Sequence, residues 1–206
     1  MSSARDRQRA ADDRRRAAGR RVEAGHDREH AASDRRLAGG DRAHAGAERD
    51  ANAIDLLTGA RRRGPGLAEL QDQIDRARRR EGQLVVAYVE VDGLKETNDT
   101  KGHQAGDATL KQVVDVLREH LRSYEPIVRL RGDEFACAMS DTTIENVRSR
   151  LDEISVELGD GPEDISISVG FAVLMPGDTP MDLINRADTS LLRTRHKKRL
   201  PGPERR

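Results

Sequence analysis

The chain has 206 residues, with 37 Lys and Arg against 37 Asp and Glu, so it carries no formal net charge and no overall field to recruit nucleic acid or an anionic membrane surface. Two Tyr, two Phe and no Trp leave few platforms for stacking bases, and the single cysteine, Cys137, excludes an internal disulfide framework and a Cys-cluster zinc site. No apolar run approaches the roughly 20 residues that span a bilayer, and the start, Met1-Ser2-Ser3-Ala4-Arg5-Asp6, lacks the apolar stretch of a signal peptide; the expectation is a soluble, cytoplasmic protein that binds neither nucleic acid nor membrane.

Residues 1–52 repeat every seven. Acid-Arg pairs fall at Asp6-Arg7, Asp13-Arg14, Asp27-Arg28, Asp34-Arg35, Asp41-Arg42 and Glu48-Arg49, and small pairs such as Ala10-Ala11, Ala17-Ala18 and Ala31-Ala32 follow in phase. A seven-residue period suits a helix with one narrow stripe, and Ala and Arg favour helix. The stripe is Ala and Gly, however, and each Ala buries little surface. Two readings stay open: a solvated helix or disordered charged linker, and a partner helix that brings two chains together.

Residues 53–200 have the character of a globular domain, followed by a tail over 201–206. Leu67, Leu70, Ile74 and Ala77 mark a helix after Pro65-Gly66, and the apolar run from Leu84 reads as a buried strand that ends near Glu90. Gly102-His103-Gln104-Ala105-Gly106-Asp107 reads as a polar loop, with Asp107 placed to cap the next helix. That helix carries Leu110, Val113, Val114, Leu117 and Leu121. Two apolar runs, Ile127–Leu130 and Phe135–Met139, flank a Gly-containing break and predict a β-hairpin, with Cys137 as core filler on its second strand. Ile144, Val147, Leu151, Ile154 and Leu158 line another helix, Ile165–Val173 alternates like a strand, and Leu183, Ile184, Ala187 and Leu191 line a last helix. The order predicts an α+β fold with one central antiparallel sheet flanked by helices, near the ferredoxin-like arrangement.

The hairpin tip holds Asp133 and Glu134, and a second acidic pair, Glu90 and Asp92, ends the strand from Leu84. Carboxylates converging from two strands suit a metal-phosphate site, because phosphoryl transfer needs charge neutralisation more than covalent help. Lys95, read as lying in the loop five residues past Glu90, is placed to meet a triphosphate. Asn98 and Asp107 offer an amide and a carboxylate; a carboxylate selects guanine over adenine by accepting from its ring N–H and exocyclic amine. Arg195 and Arg199 sit one turn apart and suit a phosphate tail. Singly, each has an ordinary reading: Asp-Gly as a turn, Lys95 as a solvated cation, His103 as a loop residue, and the run from Arg193 to Arg199 as a helix C-terminus favoured by the dipole. Order and spacing together carry the weight.

From Asp55 to Arg199 the sequence resembles the GGDEF family of diguanylate cyclases. Asp55-Leu56-Leu57-Thr58-Gly59 is similar to the family's D-x-L-T-G start. Val91-Asp92-Gly93-Leu94-Lys95, Asn98-Asp99, Gly102-His103 and Gly106-Asp107 follow its next long motif. Arg129-Leu130-Arg131-Gly132-Asp133-Glu134-Phe135 resembles the signature hairpin, and Ser166–Gly170 and Arg186-Ala187-Asp188 the late segments. The resemblance implies a dimer of domains that each bind one GTP and together form cyclic di-GMP, releasing pyrophosphate. It implies Mg2+ (or Mn2+) held by Glu90, the Val91 carbonyl and Asp133. It makes Asp133 the acceptor of the 3′-hydroxyl proton, supported by Glu134, with Lys95 stabilising phosphate charge. Asn98, His103, Asp107, Gly132, Arg195 and Arg199 become substrate-binding residues, and Arg122 and Glu125 a product-inhibition site.

The sequence departs from the family at several of these positions. Glu90 stands where the family has Asp; its extra methylene moves the carboxylate in a site that for Mg2+ wants near-octahedral geometry at roughly 2.0–2.1 Å. Arg131 replaces the first Gly of the signature, which costs about 1–2 kcal/mol if positive φ is needed there, and its side chain is long enough to enter the nucleotide cleft. Arg195 replaces a Lys, Glu125 an Asp, and Leu192 a Tyr. The alternative function is a degenerate domain that binds GTP or cyclic di-GMP and signals through its N-terminal segment.

Overall fold

The computed structural model describes residues 53–199, with side chains through Arg195. The heptad segment 1–52, the tail 201–206 and the Arg199 side chain lie outside the described residues. The elements in chain order are β1 (Arg61–Arg62), α1 (Arg63–Arg80), β2 (Leu84–Val91), α2 (Leu94–Lys101), α3 (His103–His120), β3 (Ile127–Arg131), β4 (Glu134–Ser140), α4 (Ile144–Asp160), β5 (Ile167–Val173) and α5 (Pro180–Arg199).

The strands form one sheet in the order β1-β3-β4-β2-β5. β2 pairs antiparallel with β4 and β5, and β3 antiparallel with β4, as the sequence predicts. The two-residue β1 joins β3 in parallel and makes the sheet mixed. β2 is an interior strand, and Leu84 to Val89 are all buried, because helices cover both faces of the sheet. The two-residue alternation sorts the side chains. Val85, Ala87 and Val89, with Phe135, Cys137 and Met139, pack against Leu110, Val113 and Leu117 of α3 and Val147, Leu151 and Ile154 of α4. Val86, Tyr88, Ala136 and Ala138 pack against Leu70 and Ile74 of α1 and Leu183, Ile184 and Leu191 of α5.

Local sequence sets some of the helix ends. Thr143 caps α4 by accepting the Asn146 N–H at 3.4 Å. α1 closes on Glu81 in the left-handed conformation, where the Gly82 N–H reaches the Ala77 carbonyl at 2.9 Å, and Arg78, Arg79 and Arg80 complement the dipole of its last turn.

Three sequence expectations need correction. α1 begins at Arg63, ahead of Pro65, since a proline in the first turn gives up an N–H that has no helical partner. The segment Gly102–Asp107 is not a loop. A short helix, α2, fills the stretch that carries Lys95 and Asn98, and α3 starts at His103; only Gly102 breaks them, at φ 86° and ψ 163°, a region that glycine alone occupies readily. Asp107 therefore lies inside α3 and does not cap it. Among the described residues no helix is long and apolar enough to cross a membrane.

Candidate active site

The acid-bearing ends of β2 and the β3–β4 hairpin meet. Glu90 and Glu134 are direct partners across the β2–β4 ladder, and the Val91 N–H donates to the Asp133 carbonyl at 3.0 Å. Paired residues share a face, so Glu90 and Glu134 stand on the face covered by α5. The Asp133 side chain is half-buried and has no hydrogen-bond or ion-pair partner among the described residues. Gly132 makes the turn with φ 43°.

Arg195, from the last turns of α5, reaches into this acid cluster. Its Nη1 donates to Glu90 Oε2 at 2.7 Å, its Nη2 to Asp92 Oδ1, and its Nε to Ser168 Oγ at 3.1 Å. Asp92 also accepts from Ser166 Oγ at 2.9 Å and from Ser168 Oγ at 2.8 Å. Partial burial works against the guanidinium charge, yet the bonds and charges of Glu90 and Asp92 outweigh it and raise the Arg195 pKa. Here the residue read as a phosphate clamp holds carboxylates instead.

Arg131 is unstrained. It ends β3 with an ordinary negative φ, and the positive-φ position is Gly132. Its guanidinium pairs with both oxygens of Glu134, Nη2 to Oε1 at 2.8 Å and Nε to Oε2. The Tyr88 phenol acts on the same carboxylate. Burial favours protonation of Glu134, but Arg131 and Tyr88 hold its pKa below the usual carboxylate range. Burial, then Glu134, pushes the Tyr88 phenol up.

The expected nucleotide-reading residues lie on the α2–α3 corner. Asn98 is half-buried and Asp107 exposed. Gly106, next to Asp107 in the chain, lies against Asn98: a Cβ there would lie 2.1 Å from Asn98 Oδ1, so only glycine admits the amide at this spot. Lys95, on α2 and not in a loop, is exposed, as is His103 at the start of α3.

Arg122 and Glu125 form a loose ion pair, Nη1 to Oε1 at 4.0 Å. Glu125 turns inward, its side chain 1% exposed. Its Oε2 accepts from the Arg122 backbone N–H at 2.8 Å and from Arg150 Nη1 of α4 at 3.0 Å, while Oε1 is buried with no hydrogen-bond partner. The Arg122 guanidinium turns outward onto the Tyr124 hydroxyl at 2.8 Å. The Glu125 arm therefore ties the segment before β3 to α4.

Two ion pairs that sequence reading missed support the site. Asp55 accepts from Thr58 N–H at 3.0 Å, Thr58 Oγ1 at 2.8 Å and Arg129 Nη1 at 2.8 Å. Burial opposes its charge, and these bonds still lower its pKa. The same Arg129 donates to the Gly132 carbonyl. Arg186 of α5 holds buried Asp178 through two bonds of 2.6 Å and reaches the Val173 carbonyl at 2.7 Å. The Asp-x-x-Thr spacing signalled the first turn, but nothing local signalled Arg129, 74 residues away.

The donor set fits a hard divalent ion. Glu90, Asp133 and the Val91 carbonyl are all oxygen donors, and the guanidinium seated between Glu90 and Asp92 marks a place that demands positive charge. No ready-made cluster of three His, Cys, Asp or Glu side chains exists among the described residues; Val91 would contribute through its backbone.

The profile of the diguanylate cyclase GGDEF domain matches residues 52–200. Diguanylate cyclase DgcP of Pseudomonas aeruginosa is 31% identical over 148 residues, 68% of this chain and 22% of that protein. Diguanylate cyclase DosC of Escherichia coli K12 is 33% identical over 128 residues, 58% of this chain and 28% of that protein. The chain thus spans about a quarter of the length of these relatives. The GGDEF domain of DgcB from Caulobacter crescentus, solved in complex with c-di-GMP, superposes with a TM-score of 0.67 at 27% identity, covering 71% of this chain and 92% of that one. From the profile match across most of its length, together with a five-stranded sheet of the same fold, the chain belongs to the GGDEF family.

Proposed function

We propose that this protein is a diguanylate cyclase that works in the cytoplasm as a pair of domains, each presenting one GTP to the other. In each of two steps a ribose 3′-oxygen bonds to the α-phosphorus of the opposite nucleotide. The bond from that phosphorus to the bridging oxygen of the β-phosphate breaks, and pyrophosphate leaves with the electron pair. The hydroxyl proton passes to a carboxylate or to water. Two such steps close the ring of cyclic di-GMP.

The observation that carries this reading is the register of β2 on β4, which sets Glu90 opposite Glu134 and residue 133 against Val91. Glu90, the Val91 carbonyl and Asp133 would hold Mg2+ or Mn2+, which when bound neutralises phosphate charge and acidifies the attacking hydroxyl. Asp133, with no partner of its own among the described residues, is the carboxylate left to take the hydroxyl proton. Glu134 is held ionised by Arg131 and supports the hairpin. Asn98 and Asp107 read guanine from the α2–α3 corner, and exposed Lys95 meets the phosphates. The similarity to proteins named as diguanylate cyclases supports the same reaction.

Incubation of purified protein with GTP and Mg2+, with chromatography for cyclic di-GMP, tests the proposal. Product from the native chain and its loss in Asp133→Asn are expected. No product at high protein concentration, with the fold intact, rejects it.

A second reading, a domain that binds nucleotide without turning it over, is favoured by one observation: Arg195 and Arg131 are both committed to carboxylates. Calorimetry showing tight GTP or cyclic di-GMP binding beside a null turnover assay would establish it.

A further inference from the structure

We propose that Arg195, anchored on Asp92, is a built-in counter-ion that competes with the divalent ion for Glu90, and so sets how much ion the site requires; this rests on the function proposed above. The contact is specific to a guanidinium. Nη1 takes Glu90, Nη2 takes Asp92 and Nε takes Ser168, three donors in one plane on three acceptors. A lysine ammonium at the same place is a compact point charge without that fork. Asp92 is aimed at the guanidinium by two serine hydroxyls, Ser166 and Ser168. The partners are only about one-third exposed, 34% for Arg195, 28% for Glu90 and 29% for Asp92, so solvent screens them incompletely.

Two carboxylates held this close repel unless a cation lies between them. Among the described residues, Arg195 is the cation that contacts them. An ion that takes Glu90 Oε2 releases the Nη1 arm of Arg195, and the freed guanidinium, on the last turns of α5, then turns to the nucleotide's phosphates. Ion and nucleotide binding become coupled through one side chain, because each favours the arrangement that the other needs.

The test is titration of the full chain with Mn2+ alone, without nucleotide, followed by calorimetry and by loss of the free-ion electron-spin signal. Arg195→Ala is expected to bind Mn2+ about fivefold tighter, the equivalent of one partly exposed ion pair. Arg195→Lys keeps the charge but loses the fork, and is expected to move the same way. Arg193→Ala removes an exposed charge from the same helix and is expected to bind like the native chain. If Arg195→Ala does not fold by thermal melting, Arg195→Lys carries the test. Unchanged or weaker binding in the Arg195 variants overturns the counter-ion role while leaving the proposed cyclase standing. Ion binding in none of the proteins, even with GTP present, overturns both.

Discussion

Arg129 grips the Gly132 carbonyl with two donors, Nε at 3.0 Å and Nη2 at 2.8 Å. Its remaining arm holds Asp55 at 2.8 Å. One side chain thus fastens the start of the domain to the turn that presents Asp133. Arg129→Ala is expected to cost about 2 kcal/mol, the range for hydrogen bonds to charged groups, read by urea unfolding. Asp55→Ala combined with it should cost less than the sum of the two, since they share one network. A strictly additive double variant would show that the two ends are not mechanically joined.

Asp178 and Arg186 give a pH signature. The Arg186 bonds hold the Asp178 pKa below its ordinary value of 3.8, although burial pulls the other way. A lowered folded pKa stabilises the fold fully above that ordinary value, and the contribution is lost as pH falls through the lower folded value. Native protein should therefore lose stability on acidification below about pH 4. Arg186→Ala is expected to lower stability at pH 7 by about 3 kcal/mol, because it strands a buried carboxylate, and to flatten the acid limb of a melting-temperature profile. An unchanged acid limb would remove Asp178 from the account.

Gly106→Ala tests the guanine-reading corner. The added Cβ would meet Asn98 Oδ1 at 2.1 Å and must push the amide aside. GTP binding by calorimetry is expected to weaken about tenfold, in line with a modest overpacking penalty. Stability should change less, because alanine favours the helix that glycine disfavours. Full GTP affinity in a folded variant would take Asn98 out of nucleotide recognition.

Arg131→Gly restores the usual family residue, and the structure makes it a mild change. Arg131 has no backbone strain to relieve, and its side chain is 78% exposed. Thermal stability should barely shift, as for other solvent-exposed pairs. Cyclic di-GMP formation should change less than fivefold. A large gain in turnover would mean that the guanidinium obstructs the nucleotide rather than serving Glu134.

Much of this was legible in the chain because strong periodicity survives in sequence. The run Leu84–Val91 and the hairpin around Gly132-Asp133 are apolar stretches with clear punctuation, and the structure places both as expected. α2 escaped because it buries no residue, so it leaves no apolar stripe to read. β1 is two residues long, too short for any pattern. Arg195 was recognisable as a cation near the site, but its carboxylate partners lie more than 100 residues earlier. Only the third dimension decides whether such a residue greets a phosphate or an acid. The Arg150 partner of Glu125 was hidden for the same reason, since it arrives from another helix 25 residues later.

Glu90 hangs from the strand that is hydrogen-bonded on both edges and roofed on both faces. Backbone amides in such a strand exchange with solvent only when the whole domain opens. Fraying at the periphery therefore leaves the anchor of the acid cluster in place, and adjustment there falls to the arms of Glu90, Asp92 and Arg195. The protein can rearrange charge at this spot on the timescale of rotamer hops while its scaffold stays still.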